Sequence, residues 1–319
     1  MEKPTVIITE PIHMAGVERL KESGLDVVQM PPGSNELDLL KLAPRAKALV
    51  TRGNIKVTRT IMEASPSLKV VGVHGIGCDH VDLQAARDLG KKVINTPSAL
   101  TETVAEMTLA LMLALSRRIV SADKAVRSGG WHRKYGDLIG TEMKGKTVGI
   151  VGLGKIGEAV ARRIKPFEAD TVYFDVSDRG RLESELGIRK VDLDTLLRIS
   201  DIVTLHVPYS PQTHHMFSRG EFERMKDGSC MINTSRGRIL EQGALAEALK
   251  SGKLSGAALD VFEKEPLDVD DPLTSMDNVI LTPHLGASSR EAMRRMAIQV
   301  ADGIVQILSG GSYENIVVE

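Results

Sequence analysis

Residues 147–157 read T-V-G-I-V-G-L-G-K-I-G, a short apolar run passing straight into a G-x-G-x-x-G set, and 146 residues precede them. Glycines at these spacings arise by chance in a glycine-rich chain, so their surroundings decide the reading. Val148, Ile150 and Val151 supply a buried strand, residues 158–164 (E-A-V-A-R-R-I) have helical spacing, and a second apolar run at 171–174 ends at Asp175. The glycines therefore sit at a strand-to-helix turn. There Gly152 permits the tight bend, Gly154 lets main chain approach a pyrophosphate, and Gly157 allows close helix packing. The helix N-terminus favours the negative charge. An acid at the end of the second strand suits hydrogen bonding to ribose hydroxyls, which is the NAD pattern, and its charge opposes the 2′-phosphate of NADP. Arg179 and Arg181 follow closely and offset part of that charge if the loop folds back. A glycine turn serving only an α/β sheet is the plainer alternative; the full order of strand, turn, helix, strand and acid outweighs it.

So central a fingerprint leaves the first half of the chain to something else. At 319 residues the chain exceeds the usual single core, and 42% hydrophobic residues suffice for two. The 41 basic and 42 acidic residues cancel, so net charge gives no footprint of a nucleic-acid or membrane partner. The longest apolar stretch, 107–115, is too short to span a bilayer, and no secretory leader pattern opens the sequence. A cytoplasmic protein is the expectation. Cys78 and Cys230 are the only cysteines, which fits a reducing compartment and offers no disulfide framework.

From the start, β-branched runs at 5–9, 26–29, 46–51, 69–73 and 92–94 alternate with helical patterns at 17–21, 36–42, 59–64 and 81–89. That alternation predicts a parallel sheet covered on both faces. Asn95-Thr96-Pro97-Ser98 interrupts it, and 101–119 reads as one long helix whose apolar positions exceed a single face, as expected of a helix buried between domains or subunits. Runs at 202–206, 229–233, 256–260 and 278–281 then complete a second α/β domain around the fingerprint. A last helix over 288–308 returns the chain to the first domain.

Ligands bind beyond the carboxyl ends of strands in such sheets. Arg236, Glu265 and His284 each follow a strand there. Imidazole carries protons near neutral pH without a large shift, a carboxylate can orient it, and a guanidinium can grip a substrate carboxylate in a planar fork. Taken singly, each residue has an equally good purely structural reading: Arg236 holding a loop, Glu265 in a solvated turn, His284 capping a turn.

Several stretches together resemble one family over nearly the whole chain: A-L-V-T-R-G (48–53), G-I-G-C-D-H-V-D-L (75–83), N-T-P-S-A-L-T-E-T-V-A-E (95–106), the fingerprint, H-V-P-Y-S-P-Q-T (206–213), M-I-N-T-S-R-G (231–237), A-A-L-D-V-F-E-K-E-P (257–266) and L-T-P-H-L-G-A-S-S (281–289). The sequence resembles the D-isomer-specific 2-hydroxyacid dehydrogenases, in particular short phosphoglycerate dehydrogenase-like and hydroxypyruvate reductase-like members. The resemblance implies an α/β chain of two doubly wound domains: a Rossmann NAD-binding domain (99–287) inserted into a flavodoxin-like substrate domain (1–98), with 288–319 returning to the latter. It implies hydride exchange between NAD and a D-2-hydroxy acid, with Arg236, Glu265 and His284 as the catalytic set. His284 moves the proton, Glu265 raises its basicity, and Arg236 binds the carboxylate. NAD contacts are implied for Gly152, Gly154, Gly157, the backbone N–H groups of Lys155 and Ile156, Asp175, His206, Pro208, Thr213, Thr234, Asp260, His284 and Gly286.

Substrate contacts are implied for Arg52, for the loop His74, Gly75, Ile76 and Gly77 as an anion-binding nest, and for Arg236 and His284. A metal reading of His74, Cys78 and His80 lacks a completed ligand set, so no metal is expected. Trp131-His132-Arg133-Lys134 resembles a basic loop that meets a substrate phosphate in some phosphoglycerate enzymes; a solvated surface turn explains it equally well. The resemblance also implies a homodimer through the cofactor domains, a cleft that closes on substrate, and no C-terminal regulatory domain after Glu319. The same fold serves a dinucleotide-sensing corepressor, so a binding protein is the alternative function.

Overall fold

The computed structural model describes residues 3–319 and divides the chain into two compact units, Met1–Leu100 with Ala287–Glu319, and Thr101–Gly286. In the first unit the strands are β1 (Thr5–Ile8), β2 (Asp26–Gln29), β3 (Ala46–Thr51), β4 (Val70–Val73) and β5 (Lys92–Ile94). They pair in parallel in the order β2-β1-β3-β4-β5, the flavodoxin-like arrangement. The order reverses between β1 and β3. Strand period sets the two faces: Val6 and Ile8 point to one core and Ile7 to the other. The first core is closed by helices Met14–Glu22 and Arg290–Leu308, whose residues Val17, Leu20, Ala297, Val300 and Ile304 are all essentially buried. Full burial of a Val, Leu or Ile side chain contributes about 1.5–3 kcal/mol.

In the second unit the strands are β6 (Thr147–Val151), β7 (Asp170–Phe174), β8 (Arg189–Lys190), β9 (Ile202–Leu205), β10 (Ser229–Asn233), β11 (Leu254–Leu259) and β12 (Val279–Leu281). All pair in parallel in the order β12-β11-β10-β9-β6-β7-β8, the Rossmann order with a seventh strand. Here the reversal lies between β6 and β9. Val148, Ile150, Ile232 and Ala258 pack against helices Thr101–Ser116 and Lys155–Ile164. On the opposite face Val151, Val203, Leu205 and Met231 meet Leu196, Phe222 and Leu245.

The apolar stretch after residue 100 is two helices rather than one over 101–119. The first ends at Ser116, Arg118 takes a left-handed conformation (φ 50°), and a second helix runs Ile119–Arg127. No glycine or proline marks the break. The Ser116 carbonyl accepts the Thr141 N–H at 2.8 Å, which diverts it from the next helical turn. The first helix packs within its own unit, with Val104, Thr108, Leu111 and Met112 buried. The chain closes with β13 (Ile316–Val318), antiparallel to β5 at the sheet edge, a strand that its short apolar run does not announce.

Candidate functional site

The fingerprint residues form the turn from β6 into helix Lys155–Ile164. Gly152 has φ 92°, and a Cβ there would lie 2.7 Å from the His206 carbonyl oxygen. Gly157 is tighter still, since its Cβ would lie 2.1 Å from the Gly152 carbonyl oxygen. Gly154 differs: a Cβ would meet nothing within 4 Å, so the turn is open above it. Gly154 caps the helix without any side-chain hydrogen bond, which leaves the first-turn N–H groups of Lys155, Ile156 and Gly157 for an anion. Asp175 ends the turn after β7. Its Oδ2 accepts the Leu153 N–H and its Oδ1 the Ser177 N–H, both at 2.7 Å, and Arg179 Nε stands 3.9 Å from Oδ2. Each oxygen keeps a further lone pair for a hydroxyl donor. An open turn, an uncapped helix and an acid beside them fit a dinucleotide.

Beyond β9, His206 is neutral at any ordinary pH, because burial pushes it down to about 3; its Nε2 lies 3.0 Å from the Thr204 hydroxyl. Pro208 and Thr213 belong to one tight loop, in which the Thr213 hydroxyl donates to the Pro208 carbonyl at 2.7 Å. After β10, Thr234 is buried and its hydroxyl lies 2.8 Å from that of Thr108 on helix Thr101–Ser116. Asn233 then shapes the Arg236 turn. Its amide donates to the Arg236 carbonyl at 2.9 Å, and its Oδ1 accepts the Ser235 N–H and hydroxyl at 3.0 and 2.8 Å. Gly237 lets this turn lie against main chain at Phe262, where a Cβ would sit 1.8 Å from the carbonyl carbon. That contact brings Arg236 near Glu265.

Asp260, at the end of β11, is 1% exposed. Its carboxylate accepts the Thr282 hydroxyl at 2.6 Å and the N–H groups of Leu285 and Gly286 at 2.8 and 2.7 Å. Its carbonyl takes the His284 N–H at 2.9 Å. This set of bonds holds His284 at φ 55°, a left-handed conformation that costs a non-glycine residue about 1–3 kcal/mol. His284 Nδ1 lies 2.8 Å from Glu265 Oε2. Burial alone would raise the Glu265 carboxyl; the His284 hydrogen bond and charge, the Phe262 N–H and the Arg236 charge hold it below the usual carboxylate range. With Nδ1 engaged, Nε2 is the ring nitrogen left to exchange a proton. The sequence does not single out Thr108, Asn233 or Thr282 as site residues. Asn233 carries the clearest signal, ending β10 two residues before the S-R-G turn.

In the first unit, Arg52 follows β3 and the loop 74–77 follows the neighbouring β4. The Arg52 guanidinium donates to the Pro11 carbonyl at 2.8 Å. His74 is 5% exposed, and burial followed by the Arg52 charge pushes it down to about 4. Gly75 N–H donates to the Thr96 hydroxyl, whereas the N–H groups of Ile76 and Gly77 meet no acceptor among the described residues. Among those residues no three His, Cys, Asp or Glu side chains are grouped as metal ligands, and no helix is long and apolar enough to cross a membrane.

Residues 109–286 match the family model described as D-isomer specific 2-hydroxyacid dehydrogenase, NAD binding domain. The chain is similar to a glyoxylate reductase of Thermofilum pendens, 42% identical over 318 residues covering 97% of this chain and 93% of that one. It is also similar to a D-3-phosphoglycerate dehydrogenase of Archaeoglobus fulgidus, 39% identical over 312 residues; these span 98% of this chain but 59% of that protein's length. Among solved structures, an NAD-dependent formate dehydrogenase of Staphylococcus aureus in complex with NAD aligns with TM-score 0.90 and 28% identity, covering 99% of each chain.

Proposed function

The chain belongs to the D-isomer-specific 2-hydroxyacid dehydrogenase family, and we propose that it reduces a small anionic 2-oxo acid, of the glyoxylate or hydroxypyruvate kind, to its D-2-hydroxy acid, with Arg236, Glu265 and His284 as the working groups. One observation carries this reading: Glu265 holds Nδ1 of His284 at 2.8 Å and leaves Nε2 to serve the substrate oxygen. NAD, when bound, supplies or takes the hydride. The Nε2 proton goes to the carbonyl oxygen as that oxygen becomes a hydroxyl, and returns to Nε2 in the reverse direction. Glu265 stabilises the protonated ring, and Arg236 binds the carboxylate and polarises the carbonyl.

The pyrophosphate is assigned to Lys155, Ile156 and the glycine turn, the adenosine ribose to Asp175, and the nicotinamide side to His206, Pro208, Thr213, Thr234, Asp260 and Gly286. In this reading residues 99–287 form the cofactor domain, and 1–98 with 288–319 the substrate domain. Arg52 and the loop His74, Gly75, Ile76 and Gly77 are assigned to substrate recognition; the open N–H groups of Ile76 and Gly77 support an anion there. An unphosphorylated acid is favoured because Arg133 is paired with Asp137 at 2.5 Å and Lys134 lies over the Trp131 and Tyr135 rings, so the basic loop is largely satisfied internally. Exposed Ile119, Val126, Trp131, Tyr135 and Ile139 support a homodimer built through the cofactor domain. A cytoplasmic location belongs to the same proposal.

The test is NADH oxidation by the purified protein against glyoxylate, hydroxypyruvate, pyruvate, oxaloacetate and 3-phosphohydroxypyruvate, with NADPH in parallel. Preference for glyoxylate or hydroxypyruvate is expected. A strong preference for the phosphorylated acid would overturn the substrate assignment and make the 131–134 loop a phosphate site.

A further inference from the structure

We propose that Glu10 is a positioning residue for substrate recognition, acting through Arg52; the inference rests on the assignment of Arg52 to substrate made above. The first-unit sheet reverses its strand order between β1 and β3, the place where an open α/β sheet presents a ligand crevice beyond its strand ends. Glu10 lies just past β1 and Arg52 just past β3. Neither end of that pair is accidental in its packing. Glu10 is 8% exposed, and a buried carboxylate has to be compensated.

Its compensation comes mainly from main chain. Oε1 accepts the N–H groups of Asn54 and Ile55 at 2.8 and 3.0 Å. Oε2 accepts the Arg52 N–H at 2.9 Å and the Thr9 hydroxyl. An ionised carboxylate offers about four acceptor directions, and four donors occupy them. Three of the four belong to residues 52–55, so one buried charge fixes the path of that loop with charge-assisted hydrogen bonds. The guanidinium of Arg52 is tied separately to the carbonyl of Pro11, the residue after Glu10, and approaches Met293 Sδ at 3.7 Å. A carbonyl and a thioether orient the group without cancelling its charge. Glu10 thus sets both the main chain and, through its neighbour, the side chain of Arg52, while its own oxygens are spent elsewhere. The arrangement delivers a pre-aimed cation to an anion. Glu10→Gln is the informative change, because it preserves volume but replaces one oxygen by an amide donor facing N–H donors.

The experiment is steady-state kinetics of the full chain with NADH and the panel acid turned over fastest, for Glu10→Gln, Arg52→Ala and the double variant. Glu10→Gln is expected to raise KM for the acid about 5- to 10-fold while kcat and KM for NADH stay within about twofold, the signature of lost binding and not of lost chemistry. The double variant is expected to be no worse than Arg52→Ala, since a residue that acts through another adds nothing once that other is gone. An unchanged acid KM in Glu10→Gln, or effects that multiply in the double variant, overturns the role of Glu10 while leaving Arg52 in place. A silent Arg52→Ala overturns the substrate assignment of Arg52 and the inference with it. Should Glu10→Gln not fold, Thr9→Val removes one donor and keeps the carboxylate. The expected rise is then about two- to threefold and disappears in the Arg52→Ala background; additivity there overturns the proposal equally.

Discussion

Two glycines four positions or fewer from one another in the same turn should respond to alanine in opposite ways. Gly154 has φ −73° and ψ −167°, angles open to any residue, and a Cβ there meets nothing. Gly154→Ala should therefore leave the free protein as stable as before, or more stable by about 0.4–1 kcal/mol through the unfolded chain. The added methyl instead occupies the mouth of an uncapped helix N-terminus, where a pyrophosphate has to approach the N–H groups. A charge-assisted hydrogen bond contributes about 1.5–3 kcal/mol, so loss of even one raises the Kd for NADH about 10- to 150-fold. Gly157→Ala meets the opposite constraint. Its Cβ would lie 2.1 Å from a main-chain oxygen that has no freedom to rotate away, and the cost should reach about 3 kcal/mol or more of folding stability. NADH fluorescence titration and urea unfolding of the ligand-free protein separate the two quantities. Unchanged NADH affinity in Gly154→Ala, or unchanged stability in Gly157→Ala, would refute the geometry argued for this turn.

Three other outcomes follow from the same structure. His284→Gln should lower kcat by about 10² to 10⁴ with little change in thermal midpoint; a rate within a few-fold of the parent would end the acid/base assignment. Asp175→Ala should relax the preference for NADH over NADPH, because the carboxylate that opposes a 2′-phosphate is gone and Arg179 is released from it; an unaltered ratio of kcat/KM values counts against the assignment. His74, held near 4 in the folded chain against 6.5 when free, leaves the unfolded chain binding the extra proton between those values. Its contribution, about 3 kcal/mol, is present above pH 6.5 and is lost as pH falls toward 4. His74→Gln should flatten the fall of the urea midpoint across that window, and an equally steep fall in the variant would show that another group is responsible.

The parts of the fold legible in the sequence are those where local and global signals agree. β6 is followed at once by a glycine turn and an amphipathic helix, so periodicity, turn chemistry and helix start all mark the same boundary. Where tertiary contacts decide, the residues are silent. Ser116-Arg117-Arg118-Ile119 carries no helix-stopping residue, and the helix ends there because Thr141, 25 positions downstream, takes the Ser116 carbonyl. β13 is similar: Ile316–Val318 becomes a strand because β5 presents an unpaired edge to it.

The same division runs through the candidate site. Arg236, Glu265 and His284 stand out because imidazole, carboxylate and guanidinium after strand ends are chemically suggestive wherever they occur. What joins them is not suggestive in sequence. The resemblance implies an NAD contact for Asp260, yet its buried carboxylate takes three donors from residues 282–286, and its carbonyl takes the His284 N–H. A side chain so occupied builds the turn that carries His284, whatever it offers a cofactor. Glu10 does for the loop 52–55 what Asp260 does for 282–286. Each is a buried carboxylate just after a strand, compensated by N–H groups from a different loop, and each fixes a loop carrying a residue assigned above to the proposed site, Arg52 or His284. Strand and helix patterns report burial of apolar atoms; they carry no record of which backbone donors a buried carboxylate collects. That information exists only once the sheet has brought the strand ends together, which is why Arg236, Glu265 and His284 can be picked out as candidates from sequence and the part buried carboxylates play in shaping their loops cannot.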